Sequence, residues 1–283
     1  PHPRTGELVA TRALGAAPAD FDGVTDRRRL LADWMVARDN PFFARAIANR
    51  LWAHYLGRGV VEPIDDMRDT NPATNEPLLQ ALADHLQELN FDLKAFTRTL
   101  LNSRVYQLSS RSNASNKEDN QNFSHAAYKA LPAEVLLDAI SHSTGVPEKF
   151  NGWPRGYRAV QVWDNRMPSY FFRIFGRPVR ASVCECERSS EPSIAQALHL
   201  LNAPEIGAKI GRRSGRVRRL AASDRSPVEI IRELYLSTLS RLPTDKEEQL
   251  MLQAFTASET NRRAAAEDVL WALLNSKEFV FNH

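Results

Sequence analysis

The sequence predicts a mainly α fold: an irregular multi-helix domain interrupted by a central, loop-rich segment with short strands. Three observations carry this. Apolar residues recur at helical spacing over most of the chain, capping residues stand in front of those runs, and between Gly152 and Arg188 the periodicity gives way to prolines, glycines and aromatics.

The elements follow in order. Behind Thr25, the residues Leu30, Leu31, Trp34 and Met35 keep helical spacing until Asn40-Pro41 stops the run. Asn40 offers an N-cap for a second helix with Pro41 at its first position, and Phe43, Ile47, Leu51 and Tyr55 form its stripe up to Gly57 and Gly59. A third helix begins near Asn75 to Pro77 with Leu79, Leu82, Leu86 and Leu89 inward; Asp92 caps a fourth that turns Leu93, Phe96, Leu100 and Leu101 to one face. These four form an N-terminal helical layer over residues 1–108.

Residues 109–125 contain "SSRSNASNKEDNQ", a polar loop without apolar anchors. The region 126–283 is then helical around an irregular aromatic and cysteine-containing centre, and is read as one compact unit with 1–108. It opens with "PAEVLLDAISHSTG", ended by Gly145; "YRAVQV" and "PVRASVCECE" suit extended chain. Helix returns with Ile194, Leu198 and Leu201 expected in the core, then with two capping boxes, Ser226 with Glu229 and Thr244 with Glu247. Their stripes are Ile230, Ile231, Leu234 and Leu250, Ala254, Phe255. The text Leu-Leu-Asn ends three helices, at Asn102, Asn202 and Asn275, where Asn can take a left-handed stop or cap the next turn. The span 152–188 is expected to be the largest helix-free stretch.

Composition excludes several classes. With 37 basic and 34 acidic residues the net charge is only +3, too balanced to imply nucleic acid or an anionic membrane. No apolar run reaches about 18 residues, so no membrane span is predicted. The basic run "RRSGRVRR" lacks interleaved aromatics on which bases could stack; a solvated helix face is the plainer reading, and an anionic polysaccharide would ask only for its charge. The chain starts without Met and reads as a fragment of something longer.

The chemistry concentrates in "SVCECERSSEPSIAQALHLLN". In extended chain Cys184 and Cys186 point to one side with Cα atoms ~6.6 Å apart, at the upper edge of disulfide geometry, so no bridge between them is expected. Two thiolates on one soft metal ion are less strained, and His199 is the nearest candidate third ligand. The alternatives are two small buried thiols beneath a helix, or a nucleophile for which Arg180 and Arg188 supply positive charge against Glu185, Glu187 and Glu191. No haem-attachment motif occurs. A further candidate set takes in Asp65, Asp66, Arg68 and Asp69 with Arg177, Arg188 and Trp163. The aspartates concentrate oxygen ligands for a hard metal or a sugar; without the spacing of a calcium loop, they more commonly close turns and pair with Arg68. Trp153, Tyr157, Trp163, Tyr170 and Phe171 could stack on sugars or simply pack a core.

The segments "NPFFARAIANRLWAHYLGRGVVEPIDDMRDTNP", "FDLKAFTRTLLNSRVYQLSS", "LPAEVLLDAI", "FGRPVRASVCECERSSEPSIAQALHLLN" and "LYLSTLSRLPTDKEE" resemble a planctomycete secreted-protein domain family, number fifteen fifty-three of the domain-of-unknown-function series. The resemblance implies an exported, extracytoplasmic product, other domains of a parent protein as partners, a cytochrome c domain among them, and a link to electron transfer or polymer breakdown. It implies no activity. The functional expectation is an accessory or interaction domain of an exported multidomain bacterial protein; the alternative is a metal-binding or redox enzyme module centred on the Cys-x-Cys stretch.

Overall fold

The computed structural model of the chain describes residues 1–13, 15–23, 25–163, 167–178, 192–256 and 261–282. About half of the chain is helical, in 13 helices among the described residues, with one two-stranded sheet. It is mainly α. Its internal contacts divide it into two units, Pro1–Ala127 and Tyr128–His283.

The first unit holds α1 (Arg27–Val36), α2 (Phe43–Leu56), α3 (Glu76–Glu88) and α4 (Leu93–Leu101). Each start has a chemical cause. The side chains of Asp26, Asn75 and Asp92 accept from backbone N–H groups of the first turns of α1, α3 and α4. α2 starts two residues later than its sequence suggests: Phe42 stands at its N-cap, and Asn40 Oδ1 accepts from the N–H groups of Phe42 and Phe43, both at 2.9 Å. Gly57, at φ 85°, ends α2 in the left-handed region. α2 packs on α3 around Ala48, Trp52, Val60, Leu79, Leu86, Phe96 and Leu100. The polar loop closes on this core: Phe123 sets its ring edge against Trp52 at 5.3 Å. Asp119, accepting from the N–H groups of Gln121, Asn122 and Ser124, orders the turn before it.

The second unit runs β1 (Lys129–Ala130), α5 (Ala133–Thr144), α6 (Tyr170–Ile174), α7 (Ile194–Asn202), α8 (Pro204–Ile210), α9 (Arg216–Ala221), α10 (Pro227–Leu239), α11 (Asp245–Thr256), α12 (Arg262–Leu274), α13 (Lys277–Val280) and β2 (Phe281–Asn282). α12 is its hub. It buries Ala265, Ala266, Val269, Leu270, Leu273 and Leu274 and packs against α8, α9, α10, α11 and α13. The two strands pair antiparallel, Ala130 opposite Phe281. Both capping boxes form as reciprocal bonds, Ser226 with Glu229 and Thr244 with Glu247.

Several expectations need correction. "YRAVQV" is not a strand: Ala159–Gln161 is a 3-10 turn, its first N–H groups held by the Asp138 carboxylate on α5. The span 152–188 contains that turn and α6, and the longest helix-free run among the described residues lies instead between α4 and α5. On α7 the core takes His199 and Leu200, while Ile194 is 80% exposed and Leu198 and Leu201 also stand outward. Leu250 likewise faces out of α11. The Leu-Leu-Asn endings do not use a left-handed residue, since Asn102 and Asn275 keep φ of -86° and -95°. Asn202 and Asn275 instead donate Nδ2 to the carbonyl four residues back, Leu198 and Trp271.

Candidate functional site

In the first unit, the turn that leaves α2 must double back within a few residues, and Gly59 permits this because a Cβ there would lie 2.2 Å from the Val61 carbonyl oxygen. Asn49, fully buried on α2, pins the returning strand of chain. Its Nδ2 donates to Val61 O at 2.9 Å and Ile64 O at 3.0 Å, and its Oδ1 accepts from Val61 N–H at 2.9 Å. The loop is thus fixed in front of α3. Asn71 Nδ2 on Asp66 O and Thr74 Oγ1 on Val60 O close it.

Between this loop, the α1–α2 turn and α3 lies an open cleft of about 570 Å³. Arg45 rises from its floor and is half-buried, with Nη1 2.5 Å from Glu76 Oε1 and 3.1 Å from Gln80 Oε1. The Arg45 guanidinium holds the Glu76 carboxyl below its usual range. Gln80 passes the chain on, donating Nε2 to Asp84 Oδ1 at 2.8 Å. Arg68 enters from the loop, Nη2 on Asp66 Oδ2 at 2.8 Å. Arg38, Asp39 and Asp69 line the same space, and among the described residues their side chains make no hydrogen bond or ion pair. Phe42 forms the lip, 38% exposed and tilted against Trp34.

Of the aspartate cluster, the structure therefore brings Arg68 and Asp69 into the cleft and sets Asp66 behind Arg68. Asp65 pairs with Arg50 and does not line it. Arg38, Asp39, Phe42, Arg45 and Glu76 were missed by the sequence reading. Their signal was the helix break at Asn40-Pro41, which reads as punctuation and not as a wall.

The remaining candidates belong to the second unit. Arg177 is buried: Nε lies 3.3 Å from Glu134 Oε1, Nη2 donates to the Val162 carbonyl, and the guanidinium covers the Phe172 ring. That is a structural ion pair tying the residues after α6 to the start of α5. Trp163 is the opposite case, 79% exposed with its ring edge against Trp153 at 5.8 Å; Trp153 in turn meets Tyr157 at 5.1 Å. His199 is buried within 6.0 Å of the rings of Tyr170, Phe171 and Phe175, and its Nε2 lies 3.4 Å from Glu205 Oε1. Cys184, Cys186 and Arg188 lie outside the described residues, as does the question of a bridge between the thiols. Among the described residues no three His, Cys, Asp or Glu side chains converge as a metal site.

Of the basic run, Arg216 and Arg219 are engaged internally, while the side chains of Arg212, Arg213 and Arg218 stand exposed and, among the described residues, make no hydrogen bond or ion pair. Arg216 donates to the carbonyls of His142 and Ser143 at the end of α5 and pairs with Glu233; Arg225 pairs with Glu233 and Arg232 with Glu248. Arg219, Arg262 and Arg263 hold backbone carbonyls. These bonds are helix-end caps and ion pairs.

A family model described as "Protein of unknown function (DUF1553)", PSD1, matches residues 27–255, most of both units. The chain belongs to the DUF1553 family. No curated protein matches it, and no solved structure does. The DUF1553 match covers α1 through nearly all of α11, including every residue named in the cleft. No described helix is long and apolar enough to cross a membrane.

Proposed function

We propose that this DUF1553 chain is an accessory, non-catalytic module that recognises a polysaccharide, with the first unit's cleft as its seat. The observation that carries the reading is the balance of that cleft. Three arginines and four carboxylates (Asp39, Asp69, Glu76, Asp84) alternate with Asn71, Gln80 and Gln87. Such a wall offers paired donors and acceptors at close intervals, which suits vicinal hydroxyls, while its near-zero charge does not select an anion. Arg38, Asp39 and Asp69 have no internal partner to give up on binding. Phe42 at the lip provides an apolar face for the C–H side of a sugar ring. In the second unit the exposed Trp163 adds an aromatic platform of the same chemical type.

A neutral chain is the ligand this favours, since the three arginines and four carboxylates of the cleft nearly balance in charge. Export, a parent protein with a cytochrome c domain and a role in polymer breakdown, all implied by the family resemblance, are the setting in which such a module would serve.

The test is retention on immobilised neutral glucan and xylan, with a sulfated galactan alongside, at low salt and in about 0.5 M salt, where charge attraction is screened. The reading expects salt-resistant retention on a neutral matrix that is lost on joint Arg38→Ala and Asp69→Ala substitution. No retention, or retention indifferent to those changes, removes it.

A further inference from the structure

We propose that the groove between α2 and α4 seats an amphipathic helix of a partner protein, one whose apolar stripe is flanked by acidic side chains. The inference goes beyond the glycan reading, and the groove shares no residue with the cleft. Leu51 and Tyr55 of α2 form one wall. Leu93, Thr97 and Leu101 of α4 form the other, and the space between them, about 700 Å³, is open to solvent along one side. Both rows repeat every four residues, so each runs along its helix; the α4 row spans about 12 Å, or roughly two turns. Leu93 is 48% exposed, an apolar surface that the unit's own core does not cover. A furrow between two helices takes a third through its i, i+4 and i+7 side chains.

Floor and rim together name the occupant. The hydroxyls of the floor are spent on each other, with Tyr55 Oη and Thr97 Oγ1 hydrogen-bonded at 3.2 Å. Apolar side chains can therefore dry this floor without stranding either of them. The rim is cationic. Lys94 and Arg98 are exposed, their side chains make no hydrogen bond or ion pair among the described residues, and no carboxylate lines the groove. Four residues apart on α4, they hold their charges one turn from each other, about 5–6 Å at Cβ. Carboxylates at i and i+4 of a partner helix stand at the same interval, so both ion pairs can form at the edge while apolar side chains fill the furrow. An acyl chain, with its single carboxylate, would use only one of the two cations. Charges so placed select the partner and fix its orientation, and a helix flanked by lysines would set like charges together.

The probe is a synthetic, fluorescently labelled helical peptide of roughly four turns, with leucines at i, i+4 and i+7 flanked by glutamates; a second peptide carries lysines in place of the glutamates. Anisotropy titration of the full chain at low salt should give saturable binding of the glutamate peptide, tighter than that of the lysine peptide by about tenfold or more, and the gap should narrow in about 0.5 M salt. Joint Lys94→Glu and Arg98→Glu substitution should invert the preference. Leu93→Ser should weaken the glutamate peptide by about threefold or more. All three positions are exposed, so the variants keep the fold, with an unchanged Tm as the check. Equal affinity for the two peptides, no saturable binding of either, or an affinity indifferent to Leu93→Ser overturns the proposal. Binding of oleate without binding of either peptide would give the groove to an acyl chain, and a dimer that the double charge reversal dissociates would give it to a second copy; both outcomes overturn it as well.

Discussion

Arg241 closes on both oxygens of Glu278, Nε to Oε1 at 2.5 Å and Nη2 to Oε2 at 2.6 Å, and so fastens the turn between α10 and α11 to α13. The same guanidinium reaches Glu247 through Nη1 at 2.9 Å and Nη2 at 2.8 Å, and it covers the Tyr235 ring. Forked geometry is what makes one residue serve two carboxylates. Arg241→Ala should lower stability by about 1–2 kcal/mol, a range held down by the partial exposure of all three side chains. Arg241→Lys should recover less than half of that, because a point charge cannot bond both carboxylates twice. Urea denaturation of the three proteins checks both statements.

The pair also sets a pH dependence. Hydrogen bonding to Arg241 holds the Glu247 carboxyl down to about 2 from an ordinary 4.5. A group with a depressed folded pKa stabilises the fold above its unfolded value and loses that contribution as pH falls through the folded one. The stability of the wild type should therefore decline between about pH 4.5 and about pH 2 more steeply than that of Glu247→Gln, measured as Tm against pH. Parallel curves would show that the pair is not linked to folding.

Asn49 is the polar keystone of the first unit. Asn49→Leu removes two donors and one acceptor from buried backbone groups of Val61 and Ile64 and should cost about 2–4 kcal/mol. Asn49→Asp should be at least as harmful, since it sets a carboxylate against two carbonyl oxygens. The expected signature is a lower urea midpoint with an unchanged slope.

Gly59 gives a sharper test of the same loop. Its φ is not in the left-handed region, so alanine is conformationally permitted; the obstacle is the Val61 carbonyl oxygen, 2.2 Å from the new Cβ. Because that atom is backbone, held by Asn49, Gly59→Ala should destabilise by about 2 kcal/mol or more. It should do so far less in an Asn49→Leu background, where the loop is free to shift.

The face of α7 can be decided by two substitutions. Ile194→Ser should change stability by less than about 0.5 kcal/mol and Leu200→Ser by about 2–4 kcal/mol, in keeping with their exposed and buried positions. Equal costs would mean that the helix packs with the opposite face inward.

These cases show which parts of the fold a sequence displays. The capping boxes at Ser226 and Thr244 were legible because both partners sit three residues apart in one line of text. The burial of Leu79, Leu82 and Leu86 was legible because α3 is polar on its other side. α7 reads "IAQALHLLN", apolar nearly all round, so periodicity names several stripes and only packing, with His199 against Tyr170, Phe171 and Phe175, selects the one containing His199 and Leu200. Asn49 was invisible for another reason: it is one polar residue inside an apolar run, and its partners are backbone atoms twelve and fifteen residues on. The candidate site divides likewise. Arg68 and Asp69 announced themselves as a charge cluster, whereas Arg38, Arg45 and Glu76 come from three separate elements that only the Asn40 and Asn49 clamps bring to one cleft.

The pairing of Ala130 with Phe281 joins the first element of the second unit to its last. A ribosome delivers these partners in order, so the sheet stays open and α5 lacks its full packing until some 150 further residues have emerged. The helix that completes the core, α12, comes nearly as late, after residue 261. The first unit is contiguous in residues 1–127 and carries no such debt, so it can close around Trp52 and Phe96 while its neighbour is still being made. Stalling or cleavage after residue 255 would leave one finished unit followed by a molten one.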